Sequence, residues 1–232
     1  MKNIIITGAS GGIGRAVALE MLKDENNRLF LISRNKENLE SIAGLAGVSN
    51  DRIKTYPFDL SVNDYKPLIE AIKSTFDRVD VLINNAGALV NKPFEETTPA
   101  DFERVVNTNF RSPFFLIQGL LPLINNGAHI INISSMGGFQ GSVKFPGLAL
   151  YSASKGALST LTEVLAAELS ARKIAVNCLA IGSVQTPMLQ EAFPGYKAPV
   201  TPESMAQLIS WFALNANNWL NGKVIPVSLS TP

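Results

Sequence analysis

The stretch NIIITGASGGIGRAVALEMLK, residues 3–23, decides the fold. Residues 3–7 form a short apolar run of strand length, built on three consecutive isoleucines. Thr7-Gly8-Ala9-Ser10-Gly11-Gly12-Ile13-Gly14 then crowds four glycines into one turn, and residues 13–23 follow with helical periodicity. A glycine cluster elsewhere is only a tight turn. Directly after a first strand and before a first helix, it lets backbone N–H groups meet a pyrophosphate at the positive end of that helix.

The same alternation continues outward. Buried-strand patterns occupy 3–7, 28–33, 52–58, 79–84, 129–134, 174–180 and 223–227, and helical patterns lie at 13–23, 36–45, 61–76, 99–124, 151–172 and 202–214. Thr98 before Pro99 and Thr201 before Pro202 place a capping residue ahead of a first-turn proline, and Ser61 with Asp64 resembles a capping box. Strand–helix alternation predicts an α/β doubly wound, Rossmann-like domain, with a seven-stranded, mostly parallel sheet covered on both faces. No composition shift, linker or repeat divides the chain, so a single domain over 1–232 is expected. The longest irregular stretches, 135–150 and 189–200, leave strands on the same side of the sheet, where open α/β sheets bind ligands.

Twenty Lys and Arg against nineteen Asp and Glu leave a net charge of +1, so no basic field draws the chain to nucleic acid or an anionic membrane. Cys178 is the only cysteine and His129 the only histidine, which excludes an internal disulfide and cysteine- or histidine-rich metal sites. The N-terminal apolar run is too short for a signal-peptide core, and no stretch has membrane-span length. A cytoplasmic protein that works on small molecules is expected.

Further along stand Asp59-Leu60 after the third strand, Asn84-Asn85-Ala86-Gly87 after the fourth, and Tyr151-Ser152-Ala153-Ser154-Lys155 in a helical run. With the TGxxxGxG turn, these segments resemble, in order, the motifs of the short-chain dehydrogenase/reductase family. The resemblance implies a nicotinamide cofactor bound by Gly8, Ser10, Gly11, Gly12, Ile13, Gly14, Asp59, Leu60, Asn85, Ala86 and Gly87. Gly182, Val184 and Thr186 join them from a segment similar to the family's PGxVxTPM stretch, in which Ile181 replaces the proline and leaves a less rigid turn.

The second strand ends in Ser33-Arg34, without the acid that would hydrogen-bond a ribose 2′-hydroxyl. A guanidinium can instead grip a 2′-phosphate, so Arg34 favours NADP(H) over NAD(H). Arg15 reads as a helix-surface residue.

The family's chemistry falls on Tyr151 and Lys155, four residues apart on one helix face. An isolated phenol titrates near 10, and lowering it by roughly 3 units takes about 4 kcal/mol, the order of one ammonium about 4 Å away. Tyr151 is therefore expected as general acid, with Lys155 lowering its pKa and clamping the cofactor. Ser134 and Ser135 both follow the fifth strand; alignment with Gly138 in the family's SxxG pattern selects Ser135 to hold the substrate carbonyl. Its separation from Tyr151 makes the intervening loop about three residues longer than is usual in the family. Asn109 matches the remaining catalytic position, where a main-chain carbonyl holds a water for the lysine. Asn107 is its near rival, and Pro113 would free the Asn109 carbonyl.

These residues imply a carbonyl reductase, or the reverse alcohol dehydrogenase. The alternatives are an NAD-linked alcohol dehydrogenase of the same fold and a non-catalytic nucleotide-binding sensor or scaffold. A short substrate lid is expected at about 187–201, and the ending VIPVSLSTP lacks the Asp-Gly-Gly of many relatives. The fourth helical run carries Phe102, Val106, Phe110, Phe114, Phe115 and Ile117, more apolar surface than one stripe needs, so a homodimer or homotetramer through the fourth and fifth helices is expected. His129 is expected to be capped or partly exposed, Cys178 a small core residue, and Trp211, Phe212 and Trp219 core or interface.

Overall fold

A computed structural model describes residues 1–47, 49 and 51–229. The end of the VIPVSLSTP segment, residues 230–232, lies outside the described residues. Among the described residues, seven strands, β1 (Lys2–Thr7), β2 (Asn27–Ser33), β3 (Ile53–Pro57), β4 (Val79–Asn84), β5 (Ile124–Ser135), β6 (Ala175–Ile181) and β7 (Val224–Val227), form one sheet in the order 3-2-1-4-5-6-7. Every neighbouring pair is parallel. The order reverses between β1 and β4, which opens a crevice beyond their carboxyl ends.

The covering helices are α1 (Gly12–Leu22), α2 (Lys36–Ala46), α3 (Lys66–Thr75), α4 (Pro99–Val106), α5 (Ser112–Leu120), α6 (Ala149–Glu168), α7 (Pro187–Ala192) and α8 (Pro202–Asn215). Strand alternation splits the core in two. Ile4 and Ile6 of β1 pack with Val17, Met21, Ile209 and Phe212 on the α1/α8 face. Ile5 points the other way, into a cluster with Leu68, Ile72, Leu116 and Leu120 on the α3/α5 face.

Several sequence expectations need correction. Strands β3 and β7 are not buried on both faces: they are the sheet edges, and they carry the strand prolines Pro57 and Pro226, which lack the N–H an interior strand must donate. The expected helix at 61–76 starts only at Lys66, because the Asp59 carboxylate captures both the N–H and the hydroxyl of Ser61. Asp64 accepts the Lys66 N–H instead, so the Ser61–Asp64 capping box does not form. At Thr98 a capping box is present, with Asp101 as its partner.

The fourth helical run is broken. A π-helical turn at Asn107–Arg111 separates α4 from α5, and α5 ends at Leu120, just before Pro122. The lid region is not wholly irregular, since it contains α7. Phe212 is buried, whereas Trp211 and Trp219 are exposed.

His129 is neither a cap nor partly exposed. It lies in the middle of β5, 1% exposed, and makes hydrogen bonds of 3.1 Å from Nδ1 to the Ala213 carbonyl and 2.9 Å from Nε2 to the Asn177 amide. The Asn177 oxygen accepts the Lys223 N–H, so its NH₂ faces the ring and the imidazole is neutral with its proton on Nδ1. Burial pushes its pKa down from 6.5 to about 4, against the raising effect of the Ala213 carbonyl. Below about 6.5 the unfolded chain takes up a proton that the folded chain refuses, so stability falls as pH drops towards 4. Urea melts should lose roughly 2 kcal/mol between pH 7.5 and 5. A flat profile, or an equal loss in His129→Gln, would contradict this origin.

Candidate active site

The glycine turn is held by the segment after β4. Thr7 Oγ1 accepts the N–H groups of Asn85 and Ala86, both at 3.0 Å, while Asn85 Nδ2 donates to the carbonyls of Thr7 and Gly8 at 3.0 and 3.3 Å. Gly8 adopts φ +69°, and a Cβ there would come within 2.8 Å of Ala86 Cα. A Cβ on Gly14 would strike the Gly8 carbonyl and the Asn85 amide. At the exposed Gly11, by contrast, a Cβ would meet nothing. The turn is thus closed on the protein side and open outward, which fits a dinucleotide pyrophosphate.

Ser10 Oγ lies 2.6 Å from Ser33 Oγ, tying the turn to the end of β2. Arg34 is exposed immediately beyond, close enough to Asp59 to pull that carboxyl's pKa down. Burial raises the Asp59 pKa, but the two Ser61 hydrogen bonds and Arg34 outweigh it, so the group stays ionised. Leu60 is buried, and Ile13 packs partly buried against the α1/α8 core.

At the other end of the crevice the structure brings Asn109, Ser135, Tyr151 and Lys155 together. Ser135 ends β5 with its hydroxyl near enough to the Tyr151 phenol to favour its ionised form. Its Oγ also accepts the Gly137 N–H at 3.1 Å. Ser134 instead points inward and donates to the Lys155 carbonyl at 2.9 Å. A Cβ on Gly87 would stand 3.6 Å from both Lys155 Nζ and Asn109 Oδ1, so the segment after β4 joins the glycine turn to the catalytic candidates.

Asn109, fully buried, exchanges two hydrogen bonds with the Ala88 backbone, at 2.7 and 2.9 Å, and reaches Ser154 Oγ at 2.9 Å. Ser154 in turn donates to the Tyr151 carbonyl. The π-turn makes this possible: Ser112 donates its N–H to Asn107, its hydroxyl takes the Thr108 carbonyl, and Pro113 has no N–H for that of Asn109. Asn107 turns away to the Ser61 carbonyl.

One electrostatic expectation changes. Burial pushes the Tyr151 phenol up, and the Ser135 hydroxyl only partly offsets it. The lysine does not lower it here, because the ammonium lies 6.0 Å from the ring centroid and donates to the Ile133 carbonyl at 2.7 Å. Burial brings Lys155 itself down to about 8, against a small opposing effect of Cys178. Ile181 precedes the turn rather than lying in it. It is the last residue of β6, paired with Ser135 and Val227, and Gly182 continues by donating to the Val227 carbonyl.

Val184 is buried and bridges to Val200, while Thr186 caps α7 and sets its methyl group where a Gly12 Cβ would touch it at 3.3 Å. Sequence reasoning missed Thr7, Ser154 and the buried relay Asn84–Asn132–Thr162, whose hydrogen bonds are both 2.9 Å and tie β4 and β5 to α6. Thr7 and Ser154 sit inside motifs already read; the relay has no local signal.

The chain is similar to known proteins over most of its length. A family model described as short chain dehydrogenase matches residues 2–197. A 3-oxoacyl-(acyl-carrier-protein) reductase of Thermotoga maritima is 33% identical, covering 97% of this chain and 96% of its own. Among solved structures, a 3-ketoacyl-(acyl-carrier-protein) reductase from Brucella melitensis, complexed with NADH, superposes with a TM-score of 0.85 at 28% identity, covering 98% of this chain and 96% of that one. A short chain dehydrogenase from Shigella flexneri complexed with NADP gives 0.87 at 29%, with 97% and 96% covered.

Proposed function

The chain belongs to the short-chain dehydrogenase family of oxidoreductases, and from that premise we propose that it moves hydride between NADP(H) and a carbonyl compound or secondary alcohol. The observation that carries the reading is the convergence of Ser135, Tyr151 and Lys155 beside Gly87, at the same strand ends as the glycine turn. A protein that only binds nucleotide has no use for a phenol set beside a serine and a buried lysine.

Nicotinamide bound in this crevice would supply or take up the hydride. Tyr151 passes the proton between its hydroxyl and the substrate oxygen, and Ser135, whose Oγ already accepts the Gly137 N–H, turns its own hydroxyl proton to that same oxygen. Lys155 leaves the Ile133 carbonyl for the nicotinamide ribose, bringing its charge to bear on the phenol. Asn109 fixes the wall at Ala88 with its side chain and offers its carbonyl to a water for the lysine. The Arg34 guanidinium takes the 2′-phosphate, and Ser33, occupied by Ser10, puts no acid there to repel it. Gly182 and Val184 would line the carboxamide end, and Thr186, beside Gly12, the pyrophosphate side.

The deciding experiment is a paired titration with NADPH and NADH, followed by a panel of ketones and aldehydes. Selective NADPH binding with oxidation on any carbonyl is expected. Binding of neither nucleotide would leave the glycine turn as architecture and favour the scaffold reading.

Phe102, Phe114 and Phe115 stay 55%, 37% and 38% exposed on α4 and α5, which supports self-association there with α6. Light scattering at micromolar protein should give the mass of a dimer or tetramer, and a monomer's mass would refute this.

A further inference from the structure

Three segments leaving three different strands meet at one side chain. Asn91, in the segment after β4, donates from Nδ2 to the carbonyl of Ala192, the last residue of α7, at 2.8 Å. The next residue, Lys92, donates its N–H to the Gly147 carbonyl at 3.1 Å, in the segment between β5 and α6. Gly147 adopts φ +82°, and a Cβ there would collide with Asn91 Oδ1. Glycine at this position lets the amide sit between the two segments.

The root of the lid is fixed independently. Val184 bridges Val200, the Gln185 N–H reaches the Val200 carbonyl at 2.8 Å, and the Gln185 side chain accepts the Ala198 N–H at 2.6 Å. The far end of α7 presents carbonyls that no helical N–H can reach, and Asn91 takes one of them. Segment 136–150 runs between Ser135 and Tyr151, so Asn91 ties the lid to the piece of chain that spaces those two groups.

We propose that Asn91 is a positioning residue for the substrate: it latches α7 to the Gly147 segment, so that lid and catalytic loop close on a carbonyl compound as one wall. The proposal rests on the oxidoreductase reading for its effect on substrate, but not for its effect on the lid. The bond is solvent-exposed and between neutral groups, a strength that holds a lid yet lets it open at each turnover.

The test compares the intact protein with Asn91→Ala and with Asn91→Asp, which keeps the shape but cannot donate. Hydrogen exchange at the Gln190 and Phe193 amides, both bonded within α7, should quicken about fivefold in both variants, while the sheet amides and the Kd for NADPH stay unchanged. In steady state, KM for the carbonyl substrate should rise about fivefold with a smaller change in kcat. Wild-type exchange at those amides in both variants would overturn the latch, as would wild-type behaviour of Asn91→Asp alone, which would mean that shape and not donation matters. If no carbonyl is turned over by the unmodified chain, the reductase reading fails while the exchange result still decides the latch.

Discussion

Tyr151→Phe is expected to lower kcat for carbonyl reduction by about a thousandfold while leaving NADPH affinity within about twofold. The substitution deletes one oxygen and keeps the ring, so the packing around α6 is preserved. Ser135 loses a neighbour, yet its Oγ still accepts the Gly137 N–H, and no buried polar atom is orphaned. The fold should therefore lose no more than about one hydrogen bond's worth of stability, near 1 kcal/mol. What disappears is the proton route to the substrate oxygen. The direction of the phenol's shift sharpens the expectation: burial holds it protonated in the cofactor-free chain, which suits the acid needed for reduction. Retention of more than a tenth of the activity would mean that another group, or water, delivers the proton.

Arg34→Asp should weaken NADPH by about a hundredfold and leave NADH nearly unchanged or improved. Charge-assisted hydrogen bonds to a phosphate are worth about 1.5–3 kcal/mol, and the new carboxylate adds repulsion. Arg34 is exposed at the end of β2, so the effect should shrink as salt is raised. It also faces Asp59, and Arg34→Gln separates the two consequences. Glutamine removes the charge without setting a second acid beside Asp59, and should still cost NADPH about tenfold. An unchanged NADPH-to-NADH ratio in both variants would assign the 2′-phosphate to another cation, for which Lys36, two residues on, is the nearest in sequence.

Most of the fold could be read because it is written locally. Three isoleucines, a glycine turn and a helical run are consecutive, and the same period switch recurs down the chain. The misreadings arise where a side chain outcompetes the backbone pattern. Asp59 takes Ser61 from the helix start, and the π-turn at 107–111 hides inside a continuous apolar period although Pro113 marks it. The site residues grouped by motif do assemble at one end of the sheet. Their electrostatics were not legible, because the direction in which Lys155 points depends on the Ile133 carbonyl of a strand 22 residues away. The Asn91 knot and the Asn84–Asn132–Thr162 relay depend wholly on tertiary placement.

The interior position of β1 bears on how the chain is made. The strand pairs on one side with β2, which follows directly, and on the other with β4. The glycine turn is buttressed by Asn85, 78 residues beyond Thr7. A nascent chain can therefore assemble β1, β2 and β3 as they emerge, but its glycine turn stays unsupported until the segment after β4 has left the ribosome. Nucleotide can drive only the later part of biogenesis, and truncations ending before residue 85 should fail to gain protease resistance from it.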